Sequence, residues 1–295
     1  MYSVVLYKKA GGGALMKRSK AGNHPLTRFV FELMMVLMAL LVLSPIIYMV
    51  LSSFRTDKQL SVNPIALPNS LYLDNYIRAF TDTNILTKLF NTVFVSVSTL
   101  GVLVFIGSMA GYVLGRVRRR WAHLVYFFFL TGAMIPFIGS IVPMYRLIGS
   151  LGLLDHMLVL IILPLGGHLP FVIMLYTGFI KSVPKEIEES AYIDGSGFIN
   201  TYVKIVFPLM LPATVAVIIT NIIGVWNDFL TPLLFISSDH KQTLALGVFS
   251  YMSEKITSYA SVYAYTTLAI LPLILIFLFL QKYFYKGLIV GSLKN

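Results

Sequence analysis

Apolar runs long enough to cross a bilayer recur along this chain, and they constrain its fold more than any other feature. Six such runs can be marked, at Phe29–Phe54, Leu89–Gly115, Leu124–Tyr145, Met157–Ile180, Ile205–Ile236 and Ser261–Leu280. A helix needs about 20 predominantly apolar residues to span roughly 30 Å of hydrocarbon. Lipid offers the backbone no hydrogen-bond partners, so each run must satisfy its own peptide groups as a helix. The alternating apolar and polar pattern of a membrane barrel is absent. The expectation is an all-α, polytopic membrane bundle of six transmembrane helices.

Composition agrees, with 57% hydrophobic and only 12% charged residues among 295. Cysteine is absent, which excludes disulfides, thiolate metal sites and a cysteine nucleophile. Neither a GxxxxGK[ST] phosphate loop nor an HExxH pair occurs, and no Ser/His/Asp arrangement stands out at a membrane face. The chain therefore reads as a non-enzyme with no cofactor and no metal of its own. Any energy it uses comes from elsewhere. Residues 1–15 fit nothing that follows. They are read as a non-native or disordered extension, with one transmembrane domain over 16–295.

The net charge of +11 raises a nucleic-acid reading, but its distribution argues for topology instead. With the N-terminus placed in the cytoplasm, sixteen of the 23 Lys and Arg residues fall on the cytoplasmic side. That is the asymmetry expected of inside loops. Both termini and the segment Lys181–Pro208 are then cytoplasmic, and the basic residues meet anionic lipid headgroups. On the outer face, Arg55–Lys88 contains the amphipathic LYLDNYIRAF, which predicts a short surface helix. Ser237–Tyr259 is a second outer segment.

Several features within the spans have two readings. Gly107, Gly111 and Gly115 recur every four residues, a spacing that lets helix backbones approach, either within the bundle or at a dimer face. Pro45, Pro136, Pro143, Pro164, Pro170, Pro212 and Pro272 interrupt nearly every span, as suits a bundle that bends, although rigid bundles contain kinks too. His168 either lines a polar pathway or is a neutral histidine bonded to a neighbouring helix. Asn227 and Asp228 interrupt a 32-residue run too long for one crossing. The helix either begins below the membrane or breaks near Asp228 and Pro232. Asp228 itself either caps a helix or serves a pathway or gate.

The polar stretch Lys181–Pro208 carries the strongest signal, with four acids, three lysines and two glycines between long apolar runs. Pro184 suits a first helical position. Glu186, Glu188 and Glu189 follow where the helix dipole favours acids. Ile187, Ala191 and Asp194 share a narrow face. Gly195 stands where a left-handed cap ends a helix, and Ser196 can cap a second short helix running into Ile205.

Glu189-Ser190-Ala191, three residues, Gly195, nine residues and Ile205-Val206-Phe207-Pro208 resemble the EAA loop of ATP-binding-cassette importer permeases. That pattern reads EAA, three residues, Gly, nine residues, then I, any residue and LP. Ser190 replaces an alanine and Phe207 a leucine. From about Phe29 onwards, ESAYIDGSG, Trp226–Phe229 and QKYFYKGLIVGSLK are similar to maltose-type carbohydrate permeases, in particular their smaller six-span subunit. The resemblance implies a type I importer fold and half of a translocation pathway for sugars, in a bacterial cytoplasmic membrane. It implies three kinds of partner: a second permease, two ATPase subunits that bind the ATP and an extracytoplasmic solute-binding protein; the charge distribution adds membrane lipid and argues for no nucleic acid. Coupling to the ATPase is implied for Glu188, Glu189, Ser190, Ala191, Asp194, Gly195, Ile205 and Pro208. The tail Gly287–Asn295 is expected to reach towards the ATPase interface. An importer of peptides or amino acids is the near alternative. A secondary transporter is more distant, since it needs midplane coupling carboxylates that are not evident here.

Overall fold

The computed structural model describes residues 25–254 and 258–292. The extension over residues 1–15 and the end of the tail beyond Ser292 lie outside the described residues. Fourteen α-helices are formed among the described residues. They are α1 (Pro25–Ser53), α2 (Asp57–Val62), α3 (Asp74–Thr83), α4 (Ile85–Arg116), α5 (Arg120–Gly132), α6 (Phe137–Ser150) and α7 (Met157–Ser182). The chain continues through α8 (Glu186–Ile193), α9 (Phe198–Thr201), a π-helical turn (Tyr202–Val206), α10 (Phe207–Leu209), α11 (Leu211–Trp226) and α12 (Leu230–Phe235). After a 3-10 turn (Asp239–Lys241) come α13 (Leu244–Glu254) and α14 (Tyr259–Ser292). Contacts divide the chain into two compact units, Met1–Leu51 and Ser52–Asn295. The first contains nearly all of α1, which is apolar on every face beyond the Arg28–Glu32 ion pair near its start and carries Pro45 within it.

In the second unit α4 and α7 form the central pair. A β-carbon on Gly107 would lie 2.4 Å from Val172 Cγ1, one on Gly111 2.4 Å from Tyr176 Cβ, and one on Gly115 2.2 Å from Ile180 Cγ2. The glycine stripe is thus spent inside the bundle, where Val172, Tyr176 and Ile180 repeat the same four-residue spacing. Tyr176 is wholly buried and donates its hydroxyl to Thr214 Oγ1 on α11 at 2.8 Å. Leu103, Ile180, Val206, Met210 and Val217 close this core. A second core joins Ala79 of α3 with Trp226, Leu244, Tyr251 and Tyr265.

The expected count of six continuous spans is not reproduced. Among the described residues, four helices are long and apolar enough to cross a membrane, and a fifth candidate is bent by 67°. The run Leu124–Tyr145 divides into α5 and α6, of 13 and 14 residues, each only about 20 Å long. The break falls at Pro136, which has no N–H to give and forces its predecessor out of the helical region. The long run Ile205–Ile236 breaks twice. Its lower bend lies at Met210, where Pro212 leaves the Pro208 carbonyl without its helical donor. Its upper break lies between α11 and α12, at Asn227–Phe229. Of the alternatives expected for this run, the break near Asp228 occurs. The amphipathic helix predicted before Lys88 is α3, whereas the helix α13 within Ser237–Tyr259 was not foreseen.

Candidate functional site

The segment between α7 and α11 is fastened to the end of α4. In α8, Glu188 and Ala191 turn inward, while Glu186, Glu189, Ser190 and Asp194 stay exposed. Glu188 is only 7% exposed. Its Oε2 accepts from the Tyr112 hydroxyl at 2.8 Å and its Oε1 accepts from Arg116 Nε at 2.7 Å, with Arg116 Nη2 ion-paired to the same oxygen at 2.6 Å. The same Nη2 donates to the Val183 carbonyl at 2.9 Å, just ahead of α8. Charge-assisted hydrogen bonds of this kind are among the stronger ones. Tyr112 and Arg116 each follow a stripe glycine by one residue, so the close approach of α4 to α7 also places the clamp.

Gly195 ends α8 as predicted. Its φ of 81° is left-handed, Ser196 N–H donates to the Ala191 carbonyl at 2.9 Å, and Gly195 N–H to that of Tyr192 at 3.0 Å. This is the paired Schellman closure, which favours glycine at the left-handed position. Two details differ from expectation. Pro184 lies two residues ahead of the first helical residue, because the turn is closed by Lys185. Ser196 makes no backbone cap of α9, whose cap position is Gly197. Its hydroxyl instead accepts from Asn200 Nδ2 at 2.9 Å and Thr201 Oγ1 at 3.0 Å. The inward face is Glu188 with Ala191, three residues apart, rather than Ile187, Ala191 and Asp194.

Beyond the turn, Tyr202 carries the connection to α11. Its hydroxyl bonds Ser108 Oγ at 2.6 Å, and its ring lies 5.4 Å from that of Tyr112. Ile205 is partly buried in the π turn and Pro208 is exposed in α10. Both α8 and the connection to α11 are therefore tied to α4.

At the other end of α4, about 40 Å away by helical rise, a second set of ties forms. Lys88 Nζ meets Asp239 at 3.0 Å, Asn91 donates to the carbonyls of His240 and Gln242 at 2.9 Å, and Leu244 N–H reaches Thr92 Oγ1 at 2.8 Å. Asp155 binds the same segment from the α6–α7 loop. It accepts from the Ser238 hydroxyl and from the N–H groups of Ser237 and Ser238, and pairs with Lys241 at 2.9 Å. These donors, the Ser238 hydroxyl foremost, hold its carboxyl well below the usual carboxylate range.

The remaining expected residues lie apart from the clamp. His168 on α7 is half-buried beside Gly224 of α11, where an added β-carbon would lie 3.0 Å from His168 Cε1. Asn227 is exposed at the end of α11. Asp228 Oδ1 accepts the Thr231 N–H at 3.1 Å, which caps α12. Among the described residues, no three His, Cys, Asp or Glu side chains gather to hold a metal ion. Tyr112, Arg116 and Asp155 escaped the reading of the sequence, since their partners lie 67 to 86 residues away.

Residues 104–290 match the family model for the binding-protein-dependent transport system inner membrane component. The chain belongs to that family. It is accordingly a multi-pass membrane component of a transport system. Among its relatives, the multiple sugar-binding transport system permease protein MsmG of Streptococcus mutans is 33% identical, over 86% of this chain and 93% of that protein. The probable starch degradation products transport system permease protein AmyC of Thermoanaerobacterium thermosulfurigenes is 30% identical over 91% of this chain and 97% of its own. A chain in the crystal structure of a bacterial ABC transporter for alginate import has the same fold, with a TM-score of 0.75, 21% identity and coverage of 88% of this chain and 97% of that one.

Proposed function

We propose that this protein is one of two permease subunits in an ATP-driven importer of oligosaccharides or related sugars. We propose further that α8 is the element an ATPase subunit grips. The observation that carries this reading is the two-sidedness of α8 and its turn. One side is clamped through Glu188. The other presents Glu189, Ser190 and Asp194, with Ile193 and Ile199 near the turn at 86% and 75% exposure. Apolar side chains left bare in an otherwise polar loop fit a surface that a protein partner covers. Relatives named for multiple sugars, starch degradation products and melibiose/raffinose/stachyose support sugar as the solute class.

On this reading both termini and α8 face the cytoplasm, which the Lys and Arg distribution supports. ATP binds to the partner ATPases, and their closure moves α8 as a rigid piece with Gly195 setting its angle to α9. Ala191 packs the moving helix, and Ile205 and Pro208 pass the displacement through the bent connection into α11. The solute-binding protein meets the segment 237–259 on the outer face. The second permease completes a pathway to which His168, Asn227 and Asp228 contribute.

Uptake of radiolabelled maltotriose and raffinose into vesicles holding the complete complex tests the proposal. Glu189→Lys and Gly195→Pro should abolish uptake while the subunit still inserts. Normal uptake with a full complement of ATPase in both variants would overturn the coupling role. ATP hydrolysis stimulated by a peptide-loaded binding protein, and by no sugar, would overturn the solute class.

A further inference from the structure

A cavity of about 270 Å³ opens where α4, α5 and α7 meet the start of α8. Arg116, Arg118, Tyr126, Thr177, Lys181 and Lys185 line it. The Arg116 charge is answered by Glu188. Arg118, Lys181 and Lys185 have no carboxylate partner among the described residues. The cavity therefore carries three uncompensated positive charges. Lys181 Nζ stands 5.7 Å from the centre of the Tyr126 ring, a cation–π contact that holds the ammonium at the rim.

Deeper in, Thr177 is 1% exposed and its hydroxyl has no hydrogen-bond partner. A buried donor left unpaired costs free energy unless something unseen satisfies it. Gly115 helps to set the shape, because a β-carbon there would lie 3.4 Å from the Thr177 carbonyl oxygen. The apolar runs of α4 and α7 end at Gly115 and Ile180, beside this cavity, and Trp121 at the start of α5 is nearly half exposed. That combination marks the level where hydrocarbon gives way to headgroups.

We infer that this cavity binds the phosphate of an anionic phospholipid headgroup. A phosphate diester offers only acceptors, which is what a set of ammonium, guanidinium and hydroxyl donors requires. Basic pockets between transmembrane helices are suited to such headgroups. The volume lies just below the range of sites for drug-sized ligands, as suits a headgroup rather than a larger solute. Arg116 holds Glu188 and Lys185 closes the first turn of α8, so an occupied cavity places negative charge beside the anchor of α8. The site stands independently of which solute is carried.

Native mass spectrometry of the full chain in detergent, titrated with phosphatidylglycerol or phosphatidylcholine, reads out the site. The wild type should retain one phosphatidylglycerol where phosphatidylcholine dissociates. Arg118→Gln with Lys181→Gln should weaken that retention roughly thirtyfold, from two lost charges. Thr177→Val keeps every charge and should weaken it by a smaller factor, with an unchanged melting temperature in both variants. Equal retention by wild type and the double variant would overturn the site, as would equal retention of the two lipids. Inorganic phosphate in large excess should leave the lipid bound. Its displacement of the lipid would assign the cavity to a soluble anion and overturn the lipid assignment.

Discussion

Replacing Glu188 by Gln keeps the side chain's size and one acceptor oxygen but removes the charge that Arg116 answers. Arg116 would then be left charged at 12% side-chain exposure with only neutral acceptors, the amide oxygen and the Val183 carbonyl. Breaking one side of a buried ion pair costs about 3–5 kcal/mol. The pair lies at the end of the bundle and keeps slight water access, so the lower end of about 3 kcal/mol applies. That corresponds to roughly a hundredfold rise in the constant for local opening of α8. Hydrogen exchange followed by mass spectrometry should show the amides of 186–194 exchanging faster by about that factor, with the centre of α4 unchanged. Arg116→Gln should behave similarly. The double variant should cost less than the two single changes summed, by about 2 kcal/mol. Exchange in Glu188→Gln within a factor of about two of wild type, or strict additivity in the double variant, would refute the clamp.

Two further outcomes rest on separate features. Gly111→Ala should destabilise the subunit by about 3 kcal/mol, at the upper end for overpacking, because Tyr176 Cβ and the Thr177 backbone cannot give way. Gly101→Ala meets nothing within 4 Å and should be neutral or slightly stabilising, with melting temperatures in detergent separating the two. Asp155→Asn should loosen 237–241, read as faster proteolysis there. Because the Asp155 carboxyl titrates below its ordinary value, its stabilisation is present above that value and is lost only as pH falls through the lower, folded one. The difference between Asp155→Asn and wild type should therefore be constant from about pH 5 to pH 8.

Long elements were legible because length and hydropathy decide them: α1, α4, α7 and α14 each overlie an expected run. Gly195 was legible because a left-handed closure has few candidate residues. The division of α5 from α6 was not, since Pro136 is one of several prolines and the neighbouring ones at Pro143, Pro164 and Pro170 stay inside their helices. The inward turn of Glu188 was hidden for a different reason. A helix of eight residues with three acids in its first turn has too little apolar periodicity to reveal a buried face. Ile187 and Ala191 suggested one face, yet the guanidinium of Arg116, 72 residues earlier, selected another. Local pattern finds helices and turns. Long-range charge pairing requires the fold.

The absence of cysteine allows the central claim to be tested by proximity. In the complete importer, Glu189→Cys introduces a single thiol into this subunit on the exposed side of α8. Ser70→Cys places one on the exposed loop ahead of α3 as a control. A short thiol-to-amine cross-linker should join the first variant to an ATPase subunit, more efficiently with nucleotide bound, and should join the second to none. Cross-linking of ATPase from the Ser70 position, or none from Glu189 in a complex that still transports, would contradict the account.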